Sequence, residues 1–151
     1  MVNTIDERLI GHWSSLAFSY GVMEATDLGF LGDGRGWSAV YNAYNLTVTR
    51  FRWSCPQSGL LELRAEWLVQ GESAPQPGRP TFAATQPSEP WTQATHHHYS
   101  LGQEAPAPGA APLPAVLFED HVDFAHVLER GSREISIEDD PSYHVLPYIR
   151  P

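Results

Sequence analysis

Apolar and polar residues alternate with a period of two over long stretches of this chain. Between residues 60 and 69, Leu61, Leu63, Ala65, Trp67 and Val69 interleave with Leu60, Glu62, Arg64, Glu66 and Leu68. Successive side chains of a strand point to opposite faces, so this is the pattern of a half-buried strand. Upstream, Phe51 and Trp53 share one face while Arg50 and Arg52 share the other. Cys55-Pro56-Gln57-Ser58-Gly59 between the two runs is turn-forming. Residues 46–70 therefore predict an antiparallel hairpin with its arginines opposite Glu62 or Glu66 on the wet side. The dry side, with Phe51, Trp53, Leu61, Leu63, Ala65 and Trp67, predicts an apolar wall.

The same pattern organises the rest of the first half. Residues 3–10, with Thr4 three positions before Glu7, predict a short N-terminal helical turn. A strand follows from Gly11 to about Met23. A second hairpin joins residues 26–31 to the alternating Trp37, Ala39 and Tyr41 through Gly32-Asp33-Gly34-Arg35-Gly36, residues that accept the positive φ of a tight turn. Five consecutive antiparallel strands are expected by residue 70. Proline then breaks the rhythm. Residues 71–91 contain five prolines and residues 103–114 are rich in proline and alanine, so both predict long loops, the first with a short strand at 81–84. Strand character returns over 92–102. Over 115–129 a period of two puts Val116, Phe118, Val122, Phe124 and Leu128 on one face, with Asp120 and His126 among them. Short strands at 134–137 and 143–149 close the chain. The expectation is one all-β domain over residues 1–151, an antiparallel up-and-down β-barrel of about eight strands. Closure removes the exposed edges of an open sheet, and a barrel of that size is either filled or holds one small ligand.

Gly11-His12-Trp13 at the start of the first strand resembles the Gly-x-Trp signature of lipocalins and related calycin barrels. The GFLGDGRGW stretch and the FRWSCPQSGLLEL hairpin are similar to bacterial lipocalin-like domains, the likeness covering about residues 9–70. It implies a lipocalin-like barrel whose base is closed by Trp13, packed under a late arginine: Arg130, Arg133 or Arg150.

Charge narrows the partners. The net charge of −9 and the lack of any basic stripe argue against nucleic acid and against anionic membrane surfaces. All nine basic residues are arginine, and the absence of lysine excludes Schiff-base catalysis and a phosphate-binding P-loop. The composition, rich in Ala, Pro, Gly and Arg, is that of a high-GC bacterial genome. A lone Cys55 excludes an intrachain disulfide. Without a signal-peptide pattern or a transmembrane stretch, a cytoplasmic protein is expected.

Candidate chemistry lies in the second half. On a strand His96 and His98 share one face and His97 takes the other. Two imidazoles so spaced can reach one metal, with His121, His126 or His144 completing the set, but solvent-facing or pocket-lining histidines without metal are the stronger reading. Asp120 and His126 on an apolar face need partners or a wet cavity, and at about 20 Å along one strand they cannot pair with each other. Asp120, His126, His98 and His96 are therefore the candidate acid–base groups, the competing reading being a β-bulge that flips the register and leaves Asp120 facing water. Trp37, Tyr41, Phe51, Trp53, Trp67, Tyr99, Phe118 and Phe124 are the candidate ligand-binding wall. Together they predict a barrel that handles a small hydrophobic or polycyclic molecule, as a cofactor-independent cyclase or isomerase of specialised metabolism. The competing readings are a carrier without chemistry and a filled barrel that binds a protein partner, with a homodimer compatible with each.

Overall fold

A computed structural model describes residues 4–18, 24–74, 79–123 and 125–148; Phe124 and residues 149–151 lie outside the described residues. The strands are β1 (Gly11–Ser14), β2 (Ala25–Phe30), β3 (Arg35–Tyr41), β4 (Asn45–Gln57), β5 (Leu60–Ser73), β6 (Phe82–Thr85), β7 (Glu89–Glu104), β8 (Leu113–Val122) and β9 (Ala125–Arg130). All pairings are antiparallel. Eight strands close a ring in the order β1-β2-β3-β4-β5-β7-β8-β9, with β9 returning to β1, while β6 hangs on the far end of β5. The up-and-down barrel expected from the alternation is what forms.

Boundaries differ where local chemistry overrides the pattern. The first strand ends at Ser14, and a 3-10 turn, Leu16–Phe18, follows it. The N-terminal turn, Glu7–Leu9, is capped by Asp6 rather than Thr4. β5 and β7 extend into the proline-rich stretch, with β6 between them. The run over 115–129 is a hairpin of two strands, β8 and β9, and the last segment is not a closing strand: it has a 3-10 turn at Ile137–Asp139 and further turns up to residue 146.

That last segment crosses the outside of the barrel as a strap. Beneath it lies a second core: Trp37, Ala39, Leu46, Val48 and Val69 are buried on the outer face of β3–β5, packed against Ile135, Ile137, Val145 and Leu146. The strap is pinned by Arg50, only 6% exposed. Arg50 Nε donates to Asp140 Oδ2 at 3.1 Å and to Ser142 Oγ at 2.9 Å, and its Nη2 donates to the carbonyls of Ser142 and Leu146. The Tyr148 ring covers the guanidinium at 3.8 Å.

Three candidate wall residues therefore lie outside the barrel, a correction to the expected convergence. Trp37 and Tyr41 share the outer face with Arg50, because Ser38 and Gly36 take the inner one. Trp37 lies flat over Gly29, where a β-carbon would sit 2.3 Å from the indole. Trp67 is turned outward by a β-bulge: Arg50 pairs with Trp67 but Phe51 with Ala65, so Glu66 is an extra residue and the face inverts.

The inner core contains Leu28, Phe30, Phe51, Trp53, Leu61, Leu63, Tyr99, Val116, Phe118 and Leu128. Its base is closed by Trp13 (Nε1 to the Leu9 carbonyl, 2.9 Å), over whose ring the Arg130 guanidinium sits at 4.4 Å. Of the three arginines considered, Arg130 takes this place, and it also donates to the carbonyls of Ile10 and Arg8, both at 2.8 Å. Gly11 is required here. Its φ is +125°, and a β-carbon would meet Arg130 Nη1 at 2.9 Å and the Ser132 carbonyl at 2.6 Å.

Candidate functional site at the barrel mouth

Inward positions change character along each strand. On β2 they run from Thr26 through Leu28 to Phe30; on β4 from Thr49 through Phe51 to Trp53; on β7 from Thr95 through His97 to Tyr99. The base is thus apolar and packed, and the opposite end is polar. At that end a concavity of about 440 Å³ opens between β3, β4, β5, β7 and the β8–β9 turn. Phe51 and Leu63 form its floor, Thr49, Gln70 and Thr95 part of its wall, and Trp91 its rim.

His97 is the buried titratable group in this concavity, 8% exposed. Its Nε2 lies 2.9 Å from Thr95 Oγ1, and its Nδ1 is buried without a hydrogen-bond partner. An unpaired buried nitrogen costs roughly 1–3 kcal/mol, so it marks a place where a partner is missing. Burial pushes the His97 pKa below its usual value; the charges of Asp123 and Asp120 oppose that, and His96 adds to it. The neutral imidazole is thereby favoured, with one nitrogen free to accept or donate.

The β8–β9 turn supplies the facing side. Asp123 has a φ of 45°, in the left-handed region, which aspartate tolerates better than most residues. This conformation turns it back over the mouth, where its carboxylate accepts from the Ser38 hydroxyl and its carbonyl from the Thr26 hydroxyl. β2 and β3 thus hold the turn in place.

The four candidate acid–base residues stand elsewhere. His96 and His98 are exposed on the outer face of β7, His96 beside Glu62 at 3.6 Å, because inward Tyr99 brings His97 rather than its neighbours to the interior. Asp120 and His126 are also exposed. The cause is an irregularity in β8: Leu117 pairs with Val127 and Val122 with Ala125, so residues 118–121 stand opposite His126 alone. His126 folds against this bulge, its Nδ1 3.2 Å from the Phe118 carbonyl and its ring 3.5 Å from that of His121. His121 reaches the concavity and Asp120 acts on it only through its charge. Among the described residues no three His, Cys, Asp or Glu side chains converge as a metal site.

Of the candidate wall, Phe51 lines the concavity, while Trp53, Tyr99 and Phe118 fill the core below it. Tyr99 belongs to the base, donating to Asp6 Oδ2 at 2.7 Å, with the Cys55 thiol 3.6 Å away. Phe124 lies outside the described residues. Sequence reasoning missed His97, Asp123, Ser38 and Thr95. The usable signal was face-sharing: Thr95, His97 and Tyr99 occupy alternate positions, so expecting Tyr99 inside placed His97 there too.

A second concavity, about 460 Å³, lies outside the barrel between the strap and β3–β5, with Arg35, Arg50, Trp67 and Tyr148 on its walls. Its charges are matched internally: Arg35 with Asp33 (2.6 Å), Arg50 with Asp140 (3.1 Å) and Arg52 with Glu66 (3.4 Å).

Fold and site together define an antiparallel, closed eight-stranded β-barrel with a packed base and a polar mouth. No family model, curated protein or solved structure matches the chain. No helix among the described residues is long and apolar enough to cross a membrane.

Proposed function

We propose that this chain is a lipocalin-like barrel that handles a small molecule at its mouth, with His97 moving a proton on it. The lipocalin-like reading is supported by Gly11 and Trp13 at the base, with Arg130 stacked on the indole and admitted by the missing β-carbon. The observation that carries the functional reading is the buried His97 imidazole, one nitrogen of which has no partner, in the wall of a concavity large enough for a ligand. An isomerisation or ring closure needs one proton removed and one returned, in a site that positions the substrate and excludes water. His97, kept neutral by burial, takes the proton on its imidazole; the Asp123 and Asp120 charges favour the imidazolium so formed, and the same ring gives the proton back. Ser38 and Thr49 supply hydroxyls for orientation. The reaction class is cofactor-independent isomerisation or cyclisation.

Nitrobenzisoxazole tests this directly. A base that removes its ring C–H proton breaks the N–O bond and releases a coloured cyanophenolate. The expected result is ring opening faster than with free imidazole at equal concentration, abolished in folded His97→Gln. A rate unchanged by that substitution contradicts the proposal.

A carrier is the second reading, and one observation favours it. The other nitrogen of His97 meets a threonine hydroxyl, not a carboxylate that would orient a base. In that case His97 anchors a ligand by hydrogen bonding alone, and ligand binding without any ring opening distinguishes it.

A further inference from the structure

The charges around the mouth are all of one sign. Among the described residues no arginine lines it: Arg8, Arg130 and Arg133 gather at the base and Arg35, Arg50 and Arg52 at the outer groove. Among the described residues, no ion pair involves Asp123 or Asp120. The only donor to the Asp123 carboxylate found there is the Ser38 hydroxyl, which brings no charge. The carboxylate therefore keeps its field at the rim of a chain whose net charge is −9. A ligand carrying a carboxylate or phosphate meets repulsion with no guanidinium to offset it, whereas a cation is drawn in.

The rest of the lining fits the same ligand. An ammonium has donors only, and the mouth offers acceptors: the Asp123 carboxylate and the hydroxyl oxygens of Thr49 and Thr95. Trp91, 43% exposed at the rim with its indole N–H tied back to Gln93 Oε1 at 3.3 Å, presents a π-surface to a cation or an aromatic body. Phe51 and Leu63 give that body an apolar floor.

We propose that the mouth selects a small cationic amine with a flat apolar body, the ammonium held at Asp123 and the body resting between Trp91 and the Phe51–Leu63 floor. This rests on the mouth being the ligand site, and names the chemical class that site takes.

Three probes of nearly equal shape and different charge decide it: tryptamine (cation), skatole (neutral) and indoleacetate (anion). Each is titrated into the full chain at low salt and about pH 7, with affinity from calorimetry and location from backbone amide NMR shifts. The expected result is tryptamine binding at least about tenfold more tightly than indoleacetate, with skatole between, and shifts at Thr49, Thr95, His97 and Asp123. Asp123→Asn keeps an acceptor for Ser38 and should reduce the tryptamine advantage several-fold while leaving skatole unchanged. Should that variant not fold, salt decides on the unaltered chain: between about 20 and 200 mM, tryptamine affinity falls and skatole affinity does not. Indoleacetate binding at the mouth as tightly as tryptamine overturns the amine selectivity and leaves the mouth as a ligand site. No binding by any probe, or shifts confined to the outer groove around Arg35 and Trp67, overturns both.

Discussion

His97 and Arg130 are two partly polar side chains drawn into the same barrel, and they are treated in opposite ways. Arg130 has its guanidinium answered on each side, by the Trp13 ring and by two carbonyls. Burial and the nearby Arg133 lower its pKa, and no carboxylate is needed to hold it. His97 has one nitrogen answered and one not. A measurable consequence follows from its depressed pKa. The unfolded chain binds the His97 proton more readily than the native one, so stability from this residue is present above the unfolded pKa, near 6.5, and falls as pH drops toward the folded value. Urea unfolding from about pH 7 to 5 should show a loss of stability that is shallower in His97→Gln. Equal slopes would mean that the native and unfolded states hold this proton alike.

At the scale of elements, two irregularities decide which residues face the mouth and which leave it. The extra residue at Glu66 sends Trp67 outside, and the bulge at 118–121 puts Asp120 and His126 in water. Strict alternation made β2–β5 legible in the sequence, and the two turns fall inside the expected segments 55–59 and 32–36 but are shorter, because β4 runs on to Gln57 and β3 begins at Arg35. A bulge leaves no comparable mark, since one added residue changes neither composition nor propensity; it only inverts the face of everything beyond it. The strap was hidden for a related reason. Tyr143, Val145 and Pro147 alternate as a strand would, and only the buried Arg50 on β4 explains why the segment is held as turns instead. That anchor is testable. Asp140 accepts from Arg50, from the Ser142 backbone and hydroxyl, and from Tyr148, so Asp140→Ala leaves a buried guanidinium unpaired. Removing one partner of such a pair costs about 3–5 kcal/mol, and the strap amides from Ser142 to Leu146 should lose hydrogen-exchange protection before the barrel does. A loss below about 1 kcal/mol, with strap protection intact, would show that the Arg50–Asp140 pair does not hold it.

The whole molecule is a barrel with unlike ends. Its base is sealed by packing and by hydrogen bonds that tie the N-terminal segment to β4, β7 and β9, including Cys55 N–H to the Thr4 carbonyl at 2.6 Å and Tyr99 to Asp6. The Arg8 guanidinium, hydrogen-bonded to Asp6, holds that carboxyl down to about 2, so the base stays charged and paired through mild acid. Its mouth has polar groups around a space of about 440 Å³ and one buried nitrogen without a partner. The barrel was legible from periodicity, the base from Gly11 and Trp13, and the apolar floor from Phe51. The mouth was not, because it forms where four strands and a turn meet at one end, which no single stretch of sequence displays.

A small molecule is proposed to bind at that end. A fragment library screened by amide NMR on the full chain, repeated on His97→Phe, tests it most directly. The expected shifts gather at Ser38, Thr49, Thr95, His97 and Asp123 and are lost when His97 is replaced. Shifts gathered instead at Arg35, Trp67 and Tyr148, and unmoved by the His97 replacement, would contradict it and place the ligand site in the outer groove.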